Sequence, residues 1–201
     1  MHRIESTRGS LSRRAILTLL LTAGGWAQAQ STFGVEQLFT LMAGQKRLTT
    51  TFTEQKFIKG LDAPIESSGE LQFEAPSHMV KRTLAPKPET LTLDGGQATV
   101  ERGRQQRTVA LEDHPEIAVH VEGLRACLAG DLEALLRIYR VSLSGTAAQW
   151  KMTLVPRDAQ AAAQVQAITL GGEQADIRSV QVLLSDGDSS LTHIAKPQVT
   201  R

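Results

Sequence analysis

The sequence predicts an α+β domain of about ten antiparallel strands with its helices gathered on one side. Three observations carry this. Residues 65–102, IESSGELQFEAPSHMVKRTLAPKPETLTLDGGQATVER, hold four short alternating segments between turn signals. At Pro115 the apolar period switches from two to that of a helix. After Arg140 the strand pattern resumes, punctuated by Gly171-Gly172 and Asp186-Gly187-Asp188. The chain has no internal repeat and no low-complexity linker.

Residues 1–29 have the layout of a secretory signal: Arg13-Arg14, an apolar run from Ala15 to Ala23, and Ala27-Gln28-Ala29 as a small-x-small cleavage site. The run is shorter than the roughly 20 residues of a spanning helix. Ser12-Arg13-Arg14 hints at twin-arginine export, although arginine pairs are common in general secretory signals, and the general route is favoured. No Cys stands at the cleavage point, so the mature protein is expected to be soluble rather than lipid-anchored. Residues 30–201 are then expected to form a single exported domain.

That domain opens with a helix over residues 33–43, where Val35, Leu38, Phe39 and Met42 follow the i, i+3, i+4, i+7 rule and Gly44 stops it. Residues 48–58, rich in Thr and Phe, read as a strand with Leu48, Thr50 and Phe52 on one face. A turn or flap from Gly60 to Pro64 follows. In the next strand Ile65, Ser67, Gly69, Leu71 and Phe73 share one side and Glu66, Ser68, Glu70, Gln72 and Glu74 the other. Ala75-Pro76-Ser77 breaks it; the segment 78–84 ends at Pro86 and Pro88, which offer no ladder N–H. Residues 89–94 place Leu91 and Leu93 on one face, and Asp94-Gly95-Gly96 turns a hairpin into 97–102. Residues 105–111 complete about six strands.

A helix starting at Pro115 carries Ile117, Val121, Leu124 and Leu128 and ends at Gly130. Asp131 caps a second helix bearing Leu132, Leu135, Leu136 and Tyr139. Strands return at 140–144 and at 150–155, where Trp150, Met152 and Leu154 share a face. After Pro156-Arg157-Asp158 and a helical turn at 159–163 come strands 165–170, 176–184 and 189–194.

Composition excludes several classes. Lys and Arg total 22 against 21 acids, but four basic residues and one acid precede Ala29, leaving 18 against 20 and a nearly neutral domain. Nothing in this balance calls for nucleic acid, and Arg102, Arg104 and Arg107 read as the solvated face of a hairpin. Cys127 is the single cysteine, so it makes no internal disulfide and is expected to be buried in its helix; a catalytic thiol would need a nearby His, and His120 is seven residues back. No Gly-x-Ser-x-Gly elbow, His-Glu-x-x-His pair, phosphate-binding Gly loop or calcium loop occurs. His78, His114, His120 and His193 are scattered, Glu112-Asp113-His114 reads as an acidic helix start, and Glu70 and Glu74 lie on a wet strand face. The expectation is no catalytic residue, no metal and no cofactor: not an enzyme.

Element order and local motifs carry a resemblance. A helix, then Phe52-Thr53-Glu54-Gln55-Lys56, then residues 66–73 (ESSGELQF), a Pro turn, a basic strand, Pro and Asp94-Gly95 resemble the periplasmic LolA-type outer-membrane lipoprotein carrier family over essentially all of the mature chain. Residues 135–143 (LLRIYRVSL), Trp150 through Asp158 and Asp186-Gly187-Asp188-Ser189 are closer to a divergent LolA-related branch. The resemblance implies a strongly curved antiparallel sheet, an open half-barrel, with helices covering its concave face and an apolar cavity left for acyl chains. It implies a non-catalytic, monomeric carrier. The cargo would be an acylated lipoprotein or another amphiphilic lipid, such as a glycolipid or polyene ester, received from an inner-membrane exporter and passed to an outer-membrane acceptor. The alternative is a lipid-sensing module that binds a membrane protein's periplasmic domain.

The physics of carriage is independent of kinship. Holding an alkyl chain in water costs roughly 0.8 kcal/mol per CH2, on the order of 12 kcal/mol for sixteen carbons, and apolar lining must nearly match it. The expected lining is Phe39, Met42, Leu71, Phe73, Leu91, Leu93, Trp150, Met152 and Leu154. Two departures from the housekeeping carrier stand out. Ala75 occupies the position before the turn's proline, where that protein has an Arg latching its helical lid, leaving Lys81 or Arg82 to substitute. After Ile194 only residues 195–201 remain, without the extra apolar tail segment.

Overall fold

The computed structural model describes residues 33–197; the segment read as a secretory signal lies outside them. In chain order the elements are α1 (Val35–Met42), β1 (Arg47–Phe57), β2 (Ile65–Glu74), β3 (His78–Ala85), β4 (Glu89–Asp94), β5 (Gln97–Arg102) and β6 (Gln105–Ala110). A 3-10 turn (Leu111–Asp113) then leads into α2 (Pro115–Ala129) and α3 (Leu132–Ile138). β7 (Tyr139–Thr146), β8 (Gln149–Pro156), α4 (Ala159–Gln164), β9 (Val165–Glu173), β10 (Asp176–Leu184) and β11 (Ser189–Ile194) follow. The strands form one antiparallel sheet in the order β6-β5-β4-β3-β2-β1-β11-β10-β9-β8-β7. β1 and β11 pair at its centre, and β6 and β7 are its open edges. No helix among the described residues is long and apolar enough to cross a membrane.

Local chemistry fixes the element ends. Asp131 accepts the Ala134 N–H at 2.9 Å and caps α3, and Asp158 accepts from Gln160 and Ala161 at the start of α4. Gly130 stops α2 in the left-handed region at φ +70°.

The sheet is strongly curved, and one helix shows it. Ala118 and Val121 of α2 pack against Leu93 of β4 and Ala98 of β5, while the α2 carbonyl of Val119 accepts a hydrogen bond from Tyr139 of β7. β5 is second in the strand order and β7 is last. On a flat sheet nine spacings of about 4.8 Å would separate them by about 43 Å. A helix is only about 10–12 Å across with its side chains. The sheet therefore curls until both flanks reach α2, and the helices lie on its concave side.

Register corrects three local expectations. Tyr139 is not the last residue of the second helix but the first of β7, where it is fully buried; Leu136, expected beside it on the helix's apolar side, is exposed. Gly171-Gly172 does not separate strands but lies within β9, which turns at Gln174 instead. The physical reason is Trp150, whose indole occupies the space a side chain at 172 would need, 2.2 Å from an added Cβ. Arg102 and Arg107 are exposed as expected, yet by register they stand on the helix-bearing side of the sheet.

Candidate functional site

Pairing across β1–β6 sorts the concave face into rows. The first row, Leu48, Phe73, Met79, Leu93, Ala98 and Val109, is wholly apolar. The second is mixed: Thr50, Leu71, Lys81, Leu91, Val100 and Arg107. In the third, Phe52, Gly69, Thr83 and Glu89 pair in turn, and Arg102 reaches Glu89 through an ion pair. The face thus changes from grease to charge within two steps of about 7 Å, the advance of two strand residues.

α2 covers the first row. Between Val121 and Arg125 of α2 and Phe73, Met79 and Leu93 of the sheet runs a crevice too narrow to admit water, bounded also by Ser77 and Gly95. This corrects the expectation of an open apolar cavity at this place. α2 sits down on the row, and Val121 with the stem of Arg125 fills the space.

The nine residues expected to line a cavity all fall on the helix-bearing side, in two groups. Phe73 and Leu93 border the crevice, with Leu71 and Leu91 half-buried in the next row. Phe39, Met42, Trp150, Met152 and Leu154 lie instead in the packed core of the other half, among Leu38, Leu135, Tyr139 and Leu170. Trp150 donates its indole N–H to the Gln174 carbonyl at 3.0 Å, satisfying its polar atom within that core. Sequence reasoning missed Met79 and Val121, because Lys81 interrupts the alternation of β3 and one helical face does not say where it will land.

Lys81 stands in the second row and ties neighbouring strands together, rather than latching a helix. Its ammonium lies 2.9 Å from the Glu54 carboxylate and 4.8 Å from the centre of the Phe52 ring. Glu54 also accepts from Ser67 at 3.2 Å and lies 3.8 Å from Lys56. Burial opposes the Glu54 charge, but Lys81 first, through both charge and hydrogen bond, then Lys56 and Ser67, outweigh it and hold the carboxyl below its usual range. Arg82 points to the opposite face, where it meets Glu70 at 3.5 Å. Neither cation fills the latch role expected of it.

What pins α2 to the sheet is Tyr139, whose hydroxyl donates to the Val119 carbonyl at 2.7 Å. Gly123 makes this approach possible, since an added Cβ would lie 2.6 Å from the tyrosine ring. Burial, reinforced by the neighbouring Cys127, pushes the phenol further above its ordinary range, so the hydroxyl stays a donor. Burial also pushes the Cys127 thiol up to about 12, so this cysteine is a protonated core residue. Tyr139→Phe is expected to cost about 1 kcal/mol, the net worth of one neutral hydrogen bond. Amide exchange should speed up across residues 115–129 and stay unchanged in β1 and β11; uniform acceleration would show that the hydroxyl supports the whole domain instead.

Solved structures that resemble the chain include the following three. A LolA superfamily protein from Nitrosomonas europaea has 8% identity and a TM-score of 0.48 over 83% of this chain and 92% of that one. Lipoprotein LppX of Mycobacterium tuberculosis has 11% identity and a TM-score of 0.46 over 83% and 94%. A chain of the Pseudomonas aeruginosa MucA/MucB complex has 14% identity and a TM-score of 0.45 over 82% of this chain and 56% of that one. Comparison with curated proteins gives no match. The family model described as outer membrane lipoprotein carrier protein LolA-like matches residues 27–198, nearly the whole sequence, and the chain belongs to that LolA-like family.

Proposed function

We propose that the protein is a non-catalytic periplasmic carrier that shields the acyl chains of a lipoprotein or lipid-like product between an inner-membrane exporter and an outer-membrane acceptor. The observation that supports this best is the asymmetric seating of α2. On one side the helix is anchored in the large core through Ala126 and Cys127; on the other it rests on the apolar first row through a small cluster centred on Leu93, Ala98 and Leu111. Lifting that side exposes Phe73, Leu93 and Ala98 of the row with Val121 of the helix, on the order of 8 kcal/mol. A sixteen-carbon chain entering the same place brings on the order of 12 kcal/mol. Cargo therefore outweighs the closed helix, and the groove can be shut to water when empty without being shut to lipid.

The test is uptake of a labelled acylated lipoprotein or long-chain lipid from inner-membrane vesicles, followed by release to acceptor vesicles. Phe73→Glu and Leu93→Glu are expected to reduce uptake at least tenfold, since a charge on the first row opposes an alkyl chain by far more than the 1.4 kcal/mol this requires. Met79→Glu, at a half-buried position of the same row, serves if either variant fails to fold. Folded variants with undiminished uptake would refute the groove. Lipid-dependent binding of a partner domain with no release would favour the sensing module instead.

A further inference from the structure

The grease-to-charge gradient across β4–β6 points to a second half of the same site, and the inference rests on the carrier reading just given. Beyond the apolar first row, Leu91 and Val100 continue the strip, flanked on the second row by Lys81 and Arg107. Arg102 follows on the third row. An open depression of about 770 Å³ lies there, lined by Val100, Arg102, Arg104, Gln105, Gln106 and Arg107. Among the described residues Arg102 pairs with Glu89, while Arg104 and Arg107 have no acidic partner. Solvated arginines on the convex face would carry no meaning of this kind. Arg102 and Arg107 stand on the concave side, beside a hollow, two rows and one row from the slot beneath α2, and Arg104 borders the same hollow from the β5–β6 turn.

We propose that this depression receives the anionic headgroup of an amphiphile, a phosphate or carboxylate, whose alkyl chain lies along the first row beneath α2. The spacing fits. Rows on one face of a strand are about 7 Å apart, so a head at Arg107 and Arg102 sits about 7–14 Å from the apolar row. Guanidinium groups take phosphate and carboxylate in paired hydrogen bonds, and Gln105 adds a neutral donor at the rim. The same arrangement disfavours a cationic head at the same tail length. The chemical class of cargo is therefore an acidic lipid or an acyl group carried beside an acidic moiety.

Three probes with one tail separate the terms: hexadecyl phosphate, hexadecyl maltoside and hexadecyl trimethylammonium, each below its micelle concentration, with inorganic phosphate as a tail-free arm. The expected order of affinity for the full protein is phosphate above maltoside above ammonium. The first two should differ by about tenfold, the worth of two partly exposed charge pairs. Raising salt to 1 M should shrink that difference and leave maltoside binding in place. Arg102→Gln combined with Arg107→Gln should abolish the preference without loss of maltoside affinity. Arg140→Gln with Lys151→Gln, two exposed cations on the opposite face, should leave it intact. Equal binding of all three tailed probes would overturn the headgroup site while leaving the carrier standing. Binding of none would overturn both. Inorganic phosphate binding as tightly as hexadecyl phosphate would make this a free-anion site and overturn the proposal.

Discussion

Gly69→Ala is expected to destabilise the protein by about 3 kcal/mol, the upper end of what overpacking a filled site costs. A Cβ at this position would lie 1.9 Å from the Arg82 carbonyl oxygen and 3.0 Å from the Thr83 Cα, both backbone atoms of β3. The β2–β3 register shifts between Ser68 and Gly69, which brings the neighbouring strand in this close. Relief requires moving the ladder itself, not a side-chain end. Elsewhere the same exchange is favourable by about 0.4–1 kcal/mol, because glycine has more freedom to lose on folding. Gly96, with nothing within 4 Å of an added Cβ and no left-handed backbone, should show that gain. Thermal unfolding decides: for a domain of this size, 3 kcal/mol is a fall of about 6–12 °C in Tm. If Gly69→Ala melted at or above the wild type, β3 would not cross where the structure puts it.

The same residue shows what the sequence could and could not say. Alternation in residues 65–74 places Gly69 on the side of Leu71 and Phe73, and the bounds of β4, β5, β10 and β11 follow from their turns. These are local signals, and chemistry within a few residues settles them. That a glycine is needed at 69 depends on Arg82, which only the register brings near. Gly171-Gly172 misleads for the same reason, since its meaning lies in Trp150 across the ladder. Tyr139 continues the spacing of Leu132 and Leu135, yet the chain leaves the helix one residue earlier. The concave-face charges were hidden because Glu54 and Lys81 are 27 residues apart and neither strand's pattern announces an inward carboxylate. The closure of the groove was illegible too: periodicity gives α2 an apolar face but not the distance at which that face meets Leu93.

Lys81→Met should reverse the pH dependence of stability over the mildly acidic range. In the wild type the folded Glu54 carboxyl titrates below its unfolded value. The native state then binds fewer protons than the unfolded one, so the pair's contribution is present above the unfolded carboxylate range. It is lost as pH falls through the folded value. Methionine preserves the apolar stem over Phe52 and removes the charge at 2.9 Å. What remains for Glu54 is burial, the largest single influence upon it and one that raises its pKa, against Lys56 at 3.8 Å and the Ser67 hydroxyl. The folded value should then lie above the unfolded one, and protonation on acidification stabilises the variant instead. At pH 7 the loss is about 3 kcal/mol, the lower end for a buried charge deprived of its partner, because Lys81 is partly exposed and Lys56 remains. Urea unfolding at pH 7, 5.5 and 4 should show the gap to wild type narrowing as pH falls. Glu54→Gln added to Lys81→Met should recover most of the loss and flatten the curve, since an amide carries no charge to bury. A single variant that tracked the wild-type pH profile in parallel would mean that Glu54 does not depend on Lys81 for its charge.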